Sequence, residues 1–283
     1  MPSISELTIY PIKSCAGIAV SQATVTEAGL RFNGVHDREW MLVDLQGQFI
    51  SQREFPLMAR VQCTITNQHL QVDFDGMTSL LLAINNSATP LNNIPVVIWD
   101  FALNADDAGD VAAAWFSQVL GTACRLVRFS AHVQRFANTE WTGATLAPTR
   151  FSDGYPLLLI SEASLEDLNQ KAVNQGRSAV PMNRFRPNIV IDGIDAFEED
   201  YAASFDVSNR LQLRPVKPCP RCPMPAVDQK TGIVGANPVD ILQPYRANPI
   251  VDGEITFGMN VIVDSGAGAT IAIGDEVQIS IAF

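Results

Sequence analysis

The chain has 283 residues, 47% of them hydrophobic, and a formal net charge of −11. That length exceeds the usual single domain, so two domains are expected, with enough core to stand without disulfide staples. The acidic balance argues against a nucleic-acid backbone as partner, although a local basic cluster can still hold a small anion.

The first hundred residues read as short strands with turns between them. Expected strands cover 7–12, 19–25, 40–44, 49–51, 61–65, 69–74, 80–84 and 95–99, with a hairpin turn at 45–48. Even spacing with Gly, Asn and Asp between them suggests a small barrel or sandwich. Residues 106–120 break the pattern. Val111, Ala112, Trp115 and Val119 fall at helical spacing, Asp106, Asp107 and Asp110 suit the N-terminus, and Gly121 suits the end. A strand at 124–129 follows, then a polar, irregular stretch at 132–148. A domain boundary is expected there, giving 1–130 and 131–283.

The second half opens with a strand at 157–160. Ser161 is placed to cap a helix whose apolar face carries Leu165, Leu168 and Ala172. Strands are expected at 189–191, 211–216, 260–263 and 276–281, with a short helix near 239–242. The fold class is mainly β with a few helices.

Two features carry chemistry. The first is 217–222, Lys217-Pro218-Cys219-Pro220-Arg221-Cys222. Prolines fix φ and lack an N–H, so a stiff loop is expected, holding two thiols beside two cations. Such a loop suits a soft metal or a reactive sulfur. Alone it remains ambiguous. A structural zinc site needs four ligands, and Cys15, Cys63 and Cys124 are scattered with no His pair nearby. A thioredoxin-like motif would start a helix, which the prolines oppose. The plainest alternative is a loop with two small buried groups.

The second feature is a set of basic clusters at strand ends: Lys13-Ser14, Asp37-Arg38, Arg53 after Gln52, and Arg184/Arg186 with Asn188. Arg forks and Ser hydroxyls suit phosphates and heterocycle edges; taken singly, each also reads as solvated surface charge. No GxGxxG, Walker or GxSxG pattern occurs. His36, His69 and His132 are far apart and read as structural. Five cysteines, an odd number, fit reduced thiols and a cytoplasmic location. No signal peptide is expected from residues 1–6, and no uncharged apolar run approaches about 18 residues, so no membrane span is expected.

Taken in order, Tyr10-Pro11-Ile12-Lys13-Ser14-Cys15, Asp37-Arg38, Phe151-Ser152-Asp153-Gly154-Tyr155-Pro156, Ser161-Glu162-Ala163-Ser164-Leu165, Phe185-Arg186-Pro187-Asn188 and Cys219-Pro220-Arg221-Cys222 resemble MOSC-domain proteins. The chain is similar to the branch with an N-terminal MOSC β-barrel domain followed by a MOSC β-barrel domain. That branch includes the mitochondrial amidoxime-reducing component and bacterial YcbX-type proteins. The resemblance implies a molybdenum cofactor of molybdopterin type, with Cys222 as metal ligand and catalytic centre. It implies that Lys13, Ser14, Arg38, Arg186, Asn188 and Arg221 hold the cofactor, with Asp153 and Gly154 lining the pterin pocket.

By the same resemblance the reaction is reduction of N-hydroxylated compounds, such as hydroxylamines, amidoximes or N-hydroxylated base analogues. Two electrons and two protons leave the amine and water. YcbX-type proteins commonly carry a ferredoxin domain that this sequence lacks, so a separate electron-donor protein is expected. A cofactor carrier, or a sulfur-transfer protein with a persulfide on Cys219 or Cys222, is the alternative. The branch often has two threonines shortly after the ligand cysteine, where Pro225 and Ala226 stand here. It often has glutamine after Phe-Gly, where Phe257-Gly258 is followed by Met259. These departures bear on substrate choice more than on cofactor binding.

Overall fold

The computed structural model describes residues 1–85 and 92–282. Strands dominate, in four sheets, with four short α-helices among the described residues. The mainly-β expectation holds. No helix among the described residues is long and apolar enough to cross a membrane.

One nine-stranded sheet forms the frame of the site. Its order is Ile18–Ala19, Ser3–Ile9, Ile189–Asp192, Leu157–Ser161, Glu254–Ser265, Leu211–Pro220, Ala202–Val207, Val277–Ile281, with Ala247–Asn248 added beside Glu254–Ser265. Only Leu157–Ser161 and Ile189–Asp192 run parallel. A parallel pair needs a crossover, and the helix Glu162–Asn174 supplies it. Ser161 caps that helix as expected, accepting from Ser164 N. Leu168 and Ala172 are buried, and Leu165 packs against them.

Three smaller sheets hold most of residues 20–130. Asn93–Ile98, Phe101–Asp107, Arg125–Phe129 and Trp40–Val43 form one. Gln62–Ile65, His69–Asp73 and Leu80–Ala83 form a meander. The third takes Gln22–Thr26, Gly29–Phe32 and Val35–His36 and adds Thr270–Ala272 from the far end of the chain. The two halves thus trade strands: Ser3–Ile9 joins the later sheet, and Thr270–Ala272 joins an earlier one. One hydrophobic core runs through both, from Ile4 and Leu7 through Phe116 to Phe205 and Val277.

Several expected elements differ. The helix begins at Asp110, not Asp106, and Phe101–Asp107 is a strand. Asp107 gives its carboxylate to Arg125 Nε (2.9 Å) instead of capping a helix. Val111 is 77% exposed; the buried face is Ala112, Ala113, Trp115, Phe116 and Val119. Residues 49–51 form one bridge, Val43 to Phe49, rather than a strand. The first strand stops at Ile9 because Tyr10 N donates to Asp37 Oδ1 (2.8 Å) and Pro11 has no N–H.

The largest correction concerns 217–222. It is not wholly a loop, because the strand Leu211–Pro220 runs through its prolines. Pairing with Glu254–Ser265 shifts register between Pro215 and Lys217 and between Pro218 and Pro220. Each shift releases the ladder where a proline cannot donate, which is how a strand tolerates proline. Gly266 starts the turn that leaves Glu254–Ser265, with φ 84, and a Cβ there would lie 2.1 Å from Arg210 O at the head of the neighbouring strand. Gly266→Ala should therefore cost more than about 1 kcal/mol, read as a lower urea midpoint with unchanged slope. An unchanged midpoint would show that the turn gives way freely.

Candidate active site

Three backbone turns aim polar side chains into one space. Ser14, Arg38 and Arg186 all take left-handed φ, at 65, 46 and 58°. Non-glycine residues adopt that region rarely, and such strain concentrates at functional sites. The turn after Tyr10 is pinned by Lys13 N to Trp40 O (2.7 Å) and Cys15 N to Ile12 O (3.1 Å). Gln52 Nε2 donates to Ser14 O (2.7 Å), closing it from the far side.

Arg38 and Arg186 share one aromatic ring. Their guanidinium carbons lie 4.3 and 4.2 Å from the centroid of Tyr10. Burial pushes the Tyr10 phenol up to about 12, although both guanidinium charges pull the other way. It therefore stays protonated at neutral pH, and its hydroxyl donates to Pro187 O (3.1 Å). Arg38 is held by buried Asp37, by Asn188 Oδ1 (3.0 Å) and by Arg186 O (3.2 Å). Arg186 is less well provided for. It is 7% exposed, and burial pushes its guanidinium down from the ordinary value. Nη1 donates to Gln229 Oε1 (3.3 Å), while Nη2 is buried with no partner. A buried donor without an acceptor is costly and calls for an explanation.

Lys13 lies beside them, 6% exposed, donating to Phe151 O (3.0 Å) and Asp153 Oδ1 (2.5 Å). Burial pushes its ammonium below the ordinary value, against the pull of Asp153. Asp153 shifts the other way from what its surroundings alone dictate. Burial among protein walls would raise it, but the charge and hydrogen bond of Lys13, and then Arg38, hold it below the usual carboxylate range. Its side chain is nonetheless 68% accessible from the cleft. It is thus an ionised, acceptor-only group facing the space. Arg135 fixes the loop behind it, donating to Arg150 O, Ser152 O and Asp153 O at 2.7–2.8 Å. Gly154 leaves the wall open, since a Cβ there would meet nothing within 4 Å.

The two thiols close the other side. Cys222 follows the strand and is exposed; Cys219 is half-buried, and neither is in a disulfide. Arg221 N donates to Ile255 O (2.9 Å), turning the chain into the cleft. Its guanidinium reaches Cys219 Sγ (3.0 Å) and Phe185 O (2.7 Å), not Cys222. Lys217 turns away and lies over Trp141. Arg184 braces the following loop through Pro225 O, Ala226 O and Asp228.

The result is one cleft of about 280 Å³. Lys13, Ser14, Arg38, Asp153, Gly154, Arg186, Asn188, Arg221 and Cys222 all line it. Cations from Lys13, Arg38, Arg53, Arg184, Arg186 and Arg221 face it, against Asp153 alone. In a chain of net charge −11, that gathering demands an anion. The histidines stay out of the lining, and His36 is pushed down to about 3 by burial and neighbouring arginines. Burial pushes the Cys15 thiol up to about 12, so it stays protonated in the core. No group of three His, Cys, Asp or Glu able to hold a metal occurs among the described residues. A soft metal at Cys222 would need its other donors from the molecule that carries it. The lining also includes Phe49, Ser51, Trp99, Tyr155 and Met224, none given a site role from the sequence, although Tyr155 stands in the 151–156 motif. Of the rest, only Trp99 had a usable mark: an aromatic followed by Asp100 where a strand must turn back.

Residues 1–123 match the MOSC N-terminal beta barrel domain, and residues 147–278 match the MOSC domain. Mitochondrial amidoxime reducing component 2 of Rattus norvegicus is 33% identical over 295 residues, covering 97% of this chain and 82% of that protein. Mitochondrial amidoxime-reducing component 1 of Homo sapiens is 30% identical, with 98% and 82% covered. The molybdenum cofactor sulfurase of Oryza sativa subsp. japonica is 29% identical across 90% of this chain but only 32% of its own length. With both domain matches in order and a third of residues shared along nearly the whole length, this chain belongs to the MOSC family, in the branch of the amidoxime-reducing components.

Proposed function

We propose that the protein is a molybdenum-cofactor-dependent reductase of N-hydroxylated compounds. The observation that carries this reading is the buried, unpartnered Nη2 of Arg186, beside Arg38 and Lys13 in the cleft that also holds Cys222. A group with a phosphate at one end and a thiol-seeking metal at the other fits both ends of that cleft. Lys13, Ser14, Arg38, Arg186 and Asn188 would hold the phosphate end through charge-assisted hydrogen bonds. Asp153, held below the usual carboxylate range by Lys13 and Arg38 against the opposing effect of burial, offers an acceptor to ring N–H groups, and the open wall at Gly154 admits a flat ring beside it. Cys222 would supply the soft ligand, and Arg221 holds Cys219 back from it.

The bound cofactor supplies two-electron reduction of an N–O bond; the protein's share is to bind, orient and exclude water. Arg135, Asp37 and Gln52 work from behind, holding the loops that present Asp153, Arg38 and Ser14. Phe49, Trp99 and Tyr155 give the cleft an apolar side for the organic part of a substrate. Residues 1–130 and 131–283 are the two units that build the site together. Electrons come from a separate donor protein, and the five unpaired cysteines support a reducing, cytoplasmic setting.

Protein made in a host that synthesises the cofactor should contain stoichiometric molybdenum, release a fluorescent oxidised pterin and reduce benzamidoxime when given a reductant. Stoichiometric zinc with no pterin would sink the reading. Molybdenum and pterin without turnover would reduce it to a carrier.

A further inference from the structure

Trp99 occupies a position that suits glycine or asparagine. It is the first residue of a two-residue turn between the paired residues Ile98 and Phe101, with φ 55. Bulky side chains are strained there. Burial does not offset that strain, since Trp99 is 43% exposed. What the indole does have is a set of contacts at the cleft wall. Its Nε1 donates to Asp153 Oδ1 (3.2 Å), and Phe49 packs against it with centroids 4.8 Å apart. The guanidinium of Arg53 lies 4.6 Å from its ring centroid.

Arg53 is the cation whose position that ring fixes. Its Nε donates to Ser51 Oγ (3.3 Å), and among the described residues no carboxylate lies within 4 Å of it. The neighbouring Glu54 is occupied by Ser51 N and Oγ (2.9 and 3.1 Å). Asp153, the one carboxylate of the lining, gives Oδ1 to Lys13 and Trp99, and the function proposed above gives its remaining acceptor to the cofactor ring. Arg53 is also the exposed member of the cleft's cations, so it stands on the outer wall, where small molecules enter and leave.

The reaction changes the charge of what passes that wall. A hydroxyl on nitrogen withdraws electron density, so an amidoxime or hydroxylamine is neutral at pH 7. Its deoxygenated product is an amidine or amine, protonated like the side chains of Arg and Lys. Two electrons and two protons remove the oxygen as water, and a third proton charges the product. Substrate and product then differ little in shape and by a full unit of charge.

We propose that Arg53, braced on Trp99, is a specificity-determining residue that discriminates by charge, admitting the neutral N-hydroxylated substrate and disfavouring its protonated product. This rests on the function proposed above and goes beyond it, because it assigns the cleft's outer wall to product release. Repulsion between partly solvated charges is modest and screened by salt. That suffices to keep an accumulating product from occupying the site.

The test is calorimetric titration of the purified holoprotein with benzamidoxime and with benzamidine, which are close in shape. The wild type should bind benzamidine more weakly. Arg53→Gln should narrow the affinity ratio by about three- to fivefold, Arg53→Lys should restore most of it, and added salt should narrow the wild-type ratio as well. Trp99→Leu, which removes the brace and keeps the charge, should narrow it in part. Benzamidine binding as tightly as benzamidoxime to the wild type, a ratio unmoved in Arg53→Gln, or no binding of either ligand would each overturn the proposal. Failure of the functional reading is seen elsewhere, as absence of benzamidoxime reduction by the wild type.

Discussion

Cys222→Ser is expected to keep its pterin and lose its chemistry. The substitution removes the soft donor but touches none of Lys13, Ser14, Arg38 or Arg186 at the other end of the cleft. A metal centre deprived of its protein ligand forfeits several kcal/mol of barrier lowering, so reduction of benzamidoxime should fall by at least about 10²-fold. Cys219→Ser is the matched control. Its sulfur is half-buried and engaged by Arg221 at 3.0 Å, a contact that a hydroxyl can keep. Among the described residues no hydrogen bond engages Cys222 Sγ, which stands exposed in the cleft. X-ray absorption at the molybdenum edge decides between them. Loss of the protein-derived sulfur in Cys219→Ser but not in Cys222→Ser would reverse the assignment. No change in either would remove the metal from this segment altogether.

Arg186→Ala should separate binding from stability. The guanidinium is buried, has one nitrogen without an acceptor, and shares the Tyr10 ring with a second cation. Without a ligand only the long hydrogen bond to Gln229 (3.3 Å) and the Tyr10 ring offset the cost of burying that charge. With an anion in place, each charge-assisted hydrogen bond contributes about 1.5–3 kcal/mol. Occupancy under limiting cofactor should then fall about tenfold or more. Cofactor-free Arg186→Ala should melt no lower than cofactor-free wild type. Full pterin content in the variant, or a melt several degrees lower, would make Arg186 a structural residue instead.

Much of the site was legible because its chemistry is written in residue types that are expensive to place otherwise. Lys13, Arg38 and Arg186 stand next to strands in an acidic chain, and the cleft collects all three. The two cysteines were legible as a pair but not as individuals. Their difference lies in where Arg221 points, and that depends on Phe185 O, 36 residues away in sequence. The prolines were read as ending the strand because each removes a donor. The register shifts against Glu254–Ser265 absorb those losses, and no local pattern announces a bulge. Asp106 and Asp107 look like a helix start by type, but Arg125 claims one of them from the next strand. Trp99 carried a local mark, but its partners did not show: Phe49 and Arg53 come from one distant stretch and Asp153 from another.

The exchange of strands between the halves has a temporal side. Leu7 pairs with Ile189, so during synthesis the first strand waits for about 180 residues to emerge, roughly 10–40 s at ordinary elongation rates. Throughout that interval its edge is open, and edges that stay open recruit other chains. Lys13 and Ser14 hang from the same strand, so the anion cradle cannot take shape until Ile189–Asp192 has arrived. Nascent protein therefore passes through a long stage in which most of the early sheets have formed while the site has not. A cell that makes this protein faster than it can shelter that stage should collect it as aggregate, whatever the stability of the finished fold.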